Sequence, residues 1–216
     1  MSQSSLRLTE IFFSLQGEST LVGLPTVFIR LTGCPLRCVY CDTAYAFEGG
    51  EKWEFEQILK EVDSYGAANV CVTGGEPLAQ SSCIELLTLL CDQGYRVSLE
   101  TSGAISVEDV DPRVIKVMDL KTPSSKESSR NLWSNIPHLT KQDQVKFVVG
   151  SDEDFDWLES KVIEHGLNER VDEVLVSPVF DQYPMEKMAE RVLKSGARLR
   201  MQTQLHKHIW KDAKGK

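Results

Sequence analysis

Cys34, Cys38 and Cys41 fall within eight residues of the stretch "GCPLRCVYCDT" (Gly33–Thr43). A structural zinc site takes four protein ligands, and a disulfide takes two cysteines. Three thiolates on one short loop leave a coordination position open, and an open position is where chemistry can happen. Each iron of a four-iron cubane wants one outside ligand, and C-x3-C-x2-C lets one loop wrap three corners while the fourth iron stays uncovered. Gly33 permits close backbone approach and Pro35 stiffens the turn. The competing chemistry is a zinc knuckle completed by a distant His206 or His208. Cys71, Cys83 and Cys91 are scattered through apolar segments and read as small buried hydrophobes. A second chemical signal is "TGGEP" (Thr73–Pro77). Gly74 and Gly75 expose backbone groups there, and the Glu76 carboxylate offers an acceptor to an ammonium donor.

These groups need a scaffold, and the pattern of the chain predicts one. "TVFIRL" (Thr26–Leu31) reads as a strand running directly into the cysteine loop. Further strands are expected in "NVCVTGGEP", "RVSLETSG", "VIKVMDLKTP", "QVKFVVG", "DEVLVSPV" and "RLRMQTQ". Between them, "FEQILKEVDSYG", "SSCIELLTLLCDQG", "DEDFDWLESKVIEHG" and "PMEKMAERVLKSG" carry apolar residues at helical spacing with glycine stops. Strands alternating with helices predict an α/β fold with a parallel sheet. About six such units fit, fewer than the eight of a closed barrel, so a partial or shortened (β/α) barrel is expected, with its site at the C-terminal strand ends. No repeat or low-complexity linker is visible, and residues 1–216 read as a single domain.

The chain has 216 residues and a formal charge of −8. That balance argues against direct binding to nucleic acid or to an acidic membrane surface, since both need a basic field. The start, "MSQSSLRLTE", lacks the basic flank and apolar core of a signal peptide, and no apolar run approaches the ~20 residues needed to span a bilayer. A cytoplasmic location is expected, where thiols stay reduced and a tight cysteine cluster is metal-binding or catalytic.

The cysteine spacing after a strand, with the aromatic Tyr40 just before the last cysteine, resembles the radical S-adenosylmethionine superfamily. The resemblance implies a 4Fe-4S cluster on Cys34, Cys38 and Cys41, with the cofactor's methionyl group on the uncovered iron. Electron transfer to the sulfonium would then give a 5′-deoxyadenosyl radical. "GGE" (Gly74–Glu76) resembles the segment that holds the methionyl amino group. Within the superfamily, "EIFFSLQGESTLVGLPTVFIRLTGC" resembles the start of the 7-carboxy-7-deazaguanine synthases, lyases of the queuosine and 7-deazapurine pathways.

That resemblance implies a pterin site formed by Leu15, Gln16, Gly17, Glu18, Arg30, Thr73 and His206, with Thr43 on Mg²⁺. Tyr40, Gly74, Gly75, Glu76, Glu100 and Ser102 of "LETSG", and Asp119, Leu120 and Lys121 of "DLKTPSS" would hold S-adenosylmethionine. Of the last three, only Lys121 carries over by its side chain. A reduced pterin presents an amide and guanidine edge that suits Gln16 and Glu18, and its 6-carboxylate asks for a cation such as Arg30 or a metal. Mg²⁺ takes oxygen ligands and keeps several waters, which suits Thr43 beside Asp42. The synthases close with a Gln-x-His-Lys-like strand, which here maps onto Gln204, His206 and Lys207. The implied reaction is the Mg-dependent ring contraction of 6-carboxy-5,6,7,8-tetrahydropterin to 7-carboxy-7-deazaguanine with loss of ammonia. In it the cofactor is regenerated. A flavodoxin-like electron donor and a homodimer are the family expectations. Two rivals stand beside this reading: an activating enzyme that makes a glycyl radical on a protein partner, and a noncatalytic zinc-binding module.

Overall fold

A computed structural model of the chain describes residues 4–211, 213 and 215. The described residues build one nine-stranded sheet. In chain order its elements are β1 (Ser5–Leu15), β2 (Pro25–Leu31), β3 (Glu51–Glu54), α1 (Phe55–Ser64), β4 (Asn69–Gly74), α2 (Cys83–Asp92), β5 (Arg96–Thr101), β6 (Ile115–Asp119) and β7 (Gln144–Val149). There follow α3 (Asp152–Glu164), α4 (Leu167–Arg170), β8 (Glu173–Pro178), α5 (Met185–Lys194), β9 (Arg200–Met201) and α6 (Leu205–Trp210). The spatial order is β3-β1-β2-β4-β5-β6-β7-β8-β9, and the ladder does not close. Neighbours from β2 to β9 pair in parallel, while β1 pairs antiparallel with both β2 and β3. The partial barrel stands, with seven parallel strands rather than about six.

Period-two alternation divides the sheet chemically. Val27, Ile29 and Leu31 of β2, Val70 and Val72 of β4, Val97 and Leu99 of β5, and Val145, Phe147 and Val149 of β7 belong to the buried apolar core. Helices α1, α2 and α3 supply its other side through residues such as Ile58, Leu86, Leu87, Leu90, Phe155 and Leu158. The intervening positions, Arg30, Cys71, Thr73, Glu100, Asp119 and Lys146, all line a cavity. One face is packed and dry, and the other is polar and open to ligands.

The helices begin where local chemistry starts them. Ser151 caps α3 by accepting from the Asp154 N–H at 3.2 Å, and Asp152, Glu153 and Asp154 in its first turn oppose the positive end of the helix dipole. The Gln57 side chain accepts from the Glu54 N–H at 2.9 Å at the start of α1. The polar stretch after Lys121 forms 3-10 turns, at Pro123–Ser125, Ser128–Arg130 and Trp133–His138.

Four elements differ from the sequence expectation. The last strand is only Arg200–Met201, and His206 sits on the short helix α6 rather than on a strand. β1 and β3 were not foreseen as strands. In β1 the register shifts between Leu8 and Glu10, so the alternation that marks a strand is broken halfway along it. β3 is a four-residue edge strand whose only apolar residue is Trp53.

Candidate active site

The C-terminal ends of the parallel strands open into a cavity of about 260 Å³. The cysteine loop leaves β2 and lies across its wall, with Cys34, Cys38 and Cys41 all lining the cavity and all free thiols. Burial raises each thiol above its ordinary range, Cys38 to about 11. Without a bound cation these groups hold their protons, and a metal is what turns them into thiolates. Arg37 fastens the loop, donating through Nη1 to the Cys34 and Leu36 carbonyls at 2.7 Å each and through its backbone N–H to the Glu127 carboxylate at 2.6 Å.

The Gly74–Gly75 turn passes so close to this loop that no side chain fits between them. A Cβ on Gly75 would stand 2.3 Å from the Gly33 carbonyl oxygen and 2.7 Å from Cys34 Cβ. The Glu76 N–H donates to the same Gly33 oxygen at 2.8 Å.

Glu76 itself departs from the expectation. It is fully buried and absent from the cavity wall. Its carboxylate accepts from the Leu78 N–H at 3.0 Å, the Thr101 hydroxyl at 2.9 and 3.0 Å, the Ser102 N–H at 2.6 Å and the Ser102 hydroxyl at 2.5 Å. A carboxylate so engaged is a brace between strand ends and not a free acceptor for an ammonium. β4 ends at Gly74, and beyond it the chain turns so that Glu76 leaves the cavity that Thr73, Gly74 and Gly75 line. Leu120, for which no side-chain contact is expected, points away from the cavity. Between Asp119 and Lys121 it is fully buried in the apolar core, while its two neighbours line the cavity.

The other expected residues come together. Leu15, Gln16, Gly17, Glu18, Arg30, Tyr40, Thr43, Thr73, Gly74, Gly75, Glu100, Ser102, Asp119, Lys121 and His206 all line the one cavity. Glu10 holds the Arg30 Nε at 2.7 Å and also accepts from the Tyr45 hydroxyl at 2.8 Å. Thr43 donates to Asp42 at 2.8 Å, and Asp42 pairs with Lys207 at 3.0 Å. Burial opposes ionisation of Asp42, but Lys207 outweighs it and holds the carboxyl well below the usual range. Burial lowers His206, so its imidazole is neutral near pH 7.

Lys146, on β7, was missed. It stands 2.7 Å from Glu18, 3.6 Å from Glu100 and 3.7 Å from Asp119. Burial works against its charge, and those three carboxyls outweigh burial and hold it protonated. Its signal was present in "QVKFVV": a lone charge inside an apolar strand, in phase with the cavity face. Lys116 on β6 shows that the phase matters: it is out of step with Asp119 and pairs with the buried Asp143 at 3.1 Å, away from the cavity.

The residues present fit a cluster and its cofactor. Three thiols share one wall, a glycine cradle backs them, and Gln16 Nε2, Glu100 Oε1 and Asp119 Oδ1 are buried without a hydrogen-bond partner. Among the described residues no three His, Cys, Asp or Glu side chains converge on a point where one ion would sit, which does not suit a compact zinc knuckle.

Comparison with known proteins agrees. The Radical SAM superfamily profile matches residues 28–120. A 7-carboxy-7-deazaguanine synthase of Chlorobaculum tepidum is 41% identical over 99% of both chains. One of Koribacter versatilis is 35% identical over 95% of this chain and 97% of its own. The crystal structure of QueE from Escherichia coli superposes with a TM-score of 0.76 at 25% identity, covering 92% of this chain and 94% of that one. With the three-cysteine loop and glycine cradle in place and near-complete coverage by such relatives, the chain belongs to the 7-carboxy-7-deazaguanine synthase family of radical S-adenosylmethionine enzymes.

Proposed function

We propose that this cavity converts 6-carboxy-5,6,7,8-tetrahydropterin into 7-carboxy-7-deazaguanine with release of ammonia, using a 4Fe-4S cluster, S-adenosylmethionine and Mg²⁺. One observation carries the reading: the three thiols and the pterin-edge set Gln16, Glu18 and Arg30 line the same cavity. The bound cluster and cofactor supply the 5′-deoxyadenosyl radical. The chain supplies position, charge and shelter from water.

Cys34, Cys38 and Cys41 hold the cluster. Gly74, Gly75, Ser102, Tyr40, Glu100, Asp119 and Lys121 surround the cofactor, and Tyr40 is steadied by its hydroxyl contact with Thr122 at 3.2 Å. Arg30, oriented by Glu10, meets the pterin carboxylate. Gln16 offers its unpartnered Nε2 as a donor to the pterin amide. Glu18, whose oxygens are anchored by Lys146 and by Gln204 at 2.7 Å each, accepts from the guanidine edge through its remaining lone pairs. Leu15, Gly17 and Thr73 complete the bed, and neutral His206 closes it. Thr43 and Asp42 provide oxygen ligands for a Mg²⁺ that keeps several waters. Phe12, Phe28 and Phe180 line the cavity with aromatic surface that helps exclude solvent.

Residues 1–216 work as a single domain in this reading, in the cytoplasm, as a homodimer served by a flavodoxin-like donor. The support for solubility is that no helix among the described residues is long and apolar enough to cross a membrane.

The test is anaerobic turnover of cluster-reconstituted protein with dithionite, S-adenosylmethionine and 6-carboxytetrahydropterin, with and without Mg²⁺, followed by mass spectrometry. Formation of 7-carboxy-7-deazaguanine without matching 5′-deoxyadenosine supports the substrate and the regenerated cofactor. Cleavage of the cofactor with untouched pterin overturns the substrate and favours an activating enzyme acting on a protein partner.

A further inference from the structure

Charge around the cavity is balanced pair by pair, with one exception. Arg30 is matched by Glu10 at 2.7 Å and Lys207 by Asp42 at 3.0 Å. In the remaining set, Lys146 lies among Glu18, Glu100 and Asp119, while Lys121 pairs with Asp119 at 3.1 Å. Three carboxyls share two ammonium groups.

The three do not share equally. Glu18 has the 2.7 Å contact to Lys146 and the Gln204 amide besides. Asp119 touches both lysines. Glu100 has one lysine at 3.6 Å, and its Oε1 is buried with no partner. An ionised oxygen in that position has neither solvent nor donor, whereas a protonated carboxyl leaves no charge unsolvated. The groups that face it bring no further positive charge. Cys71 on β4 is held neutral, pushed to about 12 by burial. His206 on α6 is neutral by burial, and Arg30 on β2 is already spent on Glu10. Burial, opposed by Lys146 and aided by Glu18 and Asp119, raises Glu100 to about 7.

We propose that Glu100 is a neutral carboxylic acid in the cofactor-free cavity and gives up its proton to solvent when S-adenosylmethionine binds, so that it selects for the sulfonium cation. The inference rests on the reading that this cavity takes that cofactor. S-adenosylmethionine carries a sulfonium, an ammonium and a carboxylate, and therefore brings the one positive charge the set lacks. The O–H bond of Glu100 breaks, both its electrons stay on the carboxylate oxygen, and no electron is transferred. S-adenosylhomocysteine, uncharged at sulfur, brings no net charge and leaves the proton in place.

The experiment is anaerobic calorimetry of the cluster-loaded full chain in pairs of buffers with different protonation heats. With Glu100 near 7, S-adenosylmethionine should release about half a proton per site at pH 7 and less at higher pH. S-adenosylhomocysteine should release almost none, and Glu100→Gln should abolish the release by S-adenosylmethionine. Buffer-independent heat with S-adenosylmethionine, equal release by the two nucleosides, or undiminished release in Glu100→Gln overturns the proposal. If the variant does not fold, infrared difference spectra of the wild type decide. The protonated-carboxyl stretch must vanish on adding S-adenosylmethionine, and its persistence overturns the proposal. Absence of binding heat with either nucleoside would instead defeat the cofactor reading on which the proposal stands, and the proposal with it.

Discussion

A Cβ on Gly17 would lie 2.2 Å from the Nδ1 of His206, so the imidazole rests directly on glycine backbone. The Leu205 N–H donates to the Gly17 carbonyl at 3.0 Å beside it. The His206 imidazole therefore takes its place only because residue 17 has no side chain.

Gly17→Ala is expected to push His206 aside and lower kcat/KM by on the order of 10²-fold, the cost of misplacing a group at a reacting centre. Iron content and S-adenosylmethionine binding should stay at wild-type values. Steady-state kinetics with iron analysis checks this, and unaltered turnover would remove His206 from the substrate site.

Glu76 should behave as a structural residue. Glu76→Ala leaves the Thr101 and Ser102 donors without a buried acceptor, which is expected to destabilise the fold by about 3 kcal/mol. Urea unfolding measures it. Wild-type stability combined with weakened S-adenosylmethionine binding would restore the carboxylate to the role of a direct cofactor ligand.

The raised Glu100 makes a prediction for the ligand-free fold. Its folded-state value, about 7, lies above the ordinary carboxyl value of 4.5, so the protonated native form contributes stability at low pH. That contribution is lost as pH rises from about 4.5 through 7. Glu100→Gln should therefore gain in unfolding free energy relative to wild type between pH 5 and pH 8. Parallel denaturation curves at the two pH values test the sign, and a gain that shrinks as pH rises contradicts it.

Thr43→Val keeps the shape of the side chain and removes its hydroxyl. The Mg²⁺ concentration for half-maximal product formation is expected to rise by about tenfold, equivalent to about 1.4 kcal/mol, with cofactor binding unaltered. A Mg²⁺ titration of product formation checks it, and an unshifted curve would place the ion elsewhere.

Most of the frame was legible because parallel strands buried against helices read as apolar runs. "TVFIRL" and "QVKFVVG" announced themselves, as did the cysteine loop. β1 was hidden because a bulge flips its alternation halfway, and β3 because a short edge strand needs no apolar face. Within the site, the residue types were readable while the direction of Glu76 was not. The period of two sends Glu100 and Lys146 into the cavity and Leu120 away from it, but Glu76 lies beyond the end of β4, where that period no longer guides it. α6 could not be foreseen from "LHKHIW", whose six residues are too few to show a helical period.

The Glu76 brace has a mechanical consequence. Its N–H grips the loop after β2, its own backbone follows β4, and its carboxylate grips the end of β5. Three neighbouring strand ends thus move as one piece beneath the iron site. An electron arriving there meets surroundings with little freedom to readjust, and a frame that need not rearrange adds little to the barrier of the transfer. A floor this stiff would keep that rearrangement small whenever the cluster held by the loop changes its charge.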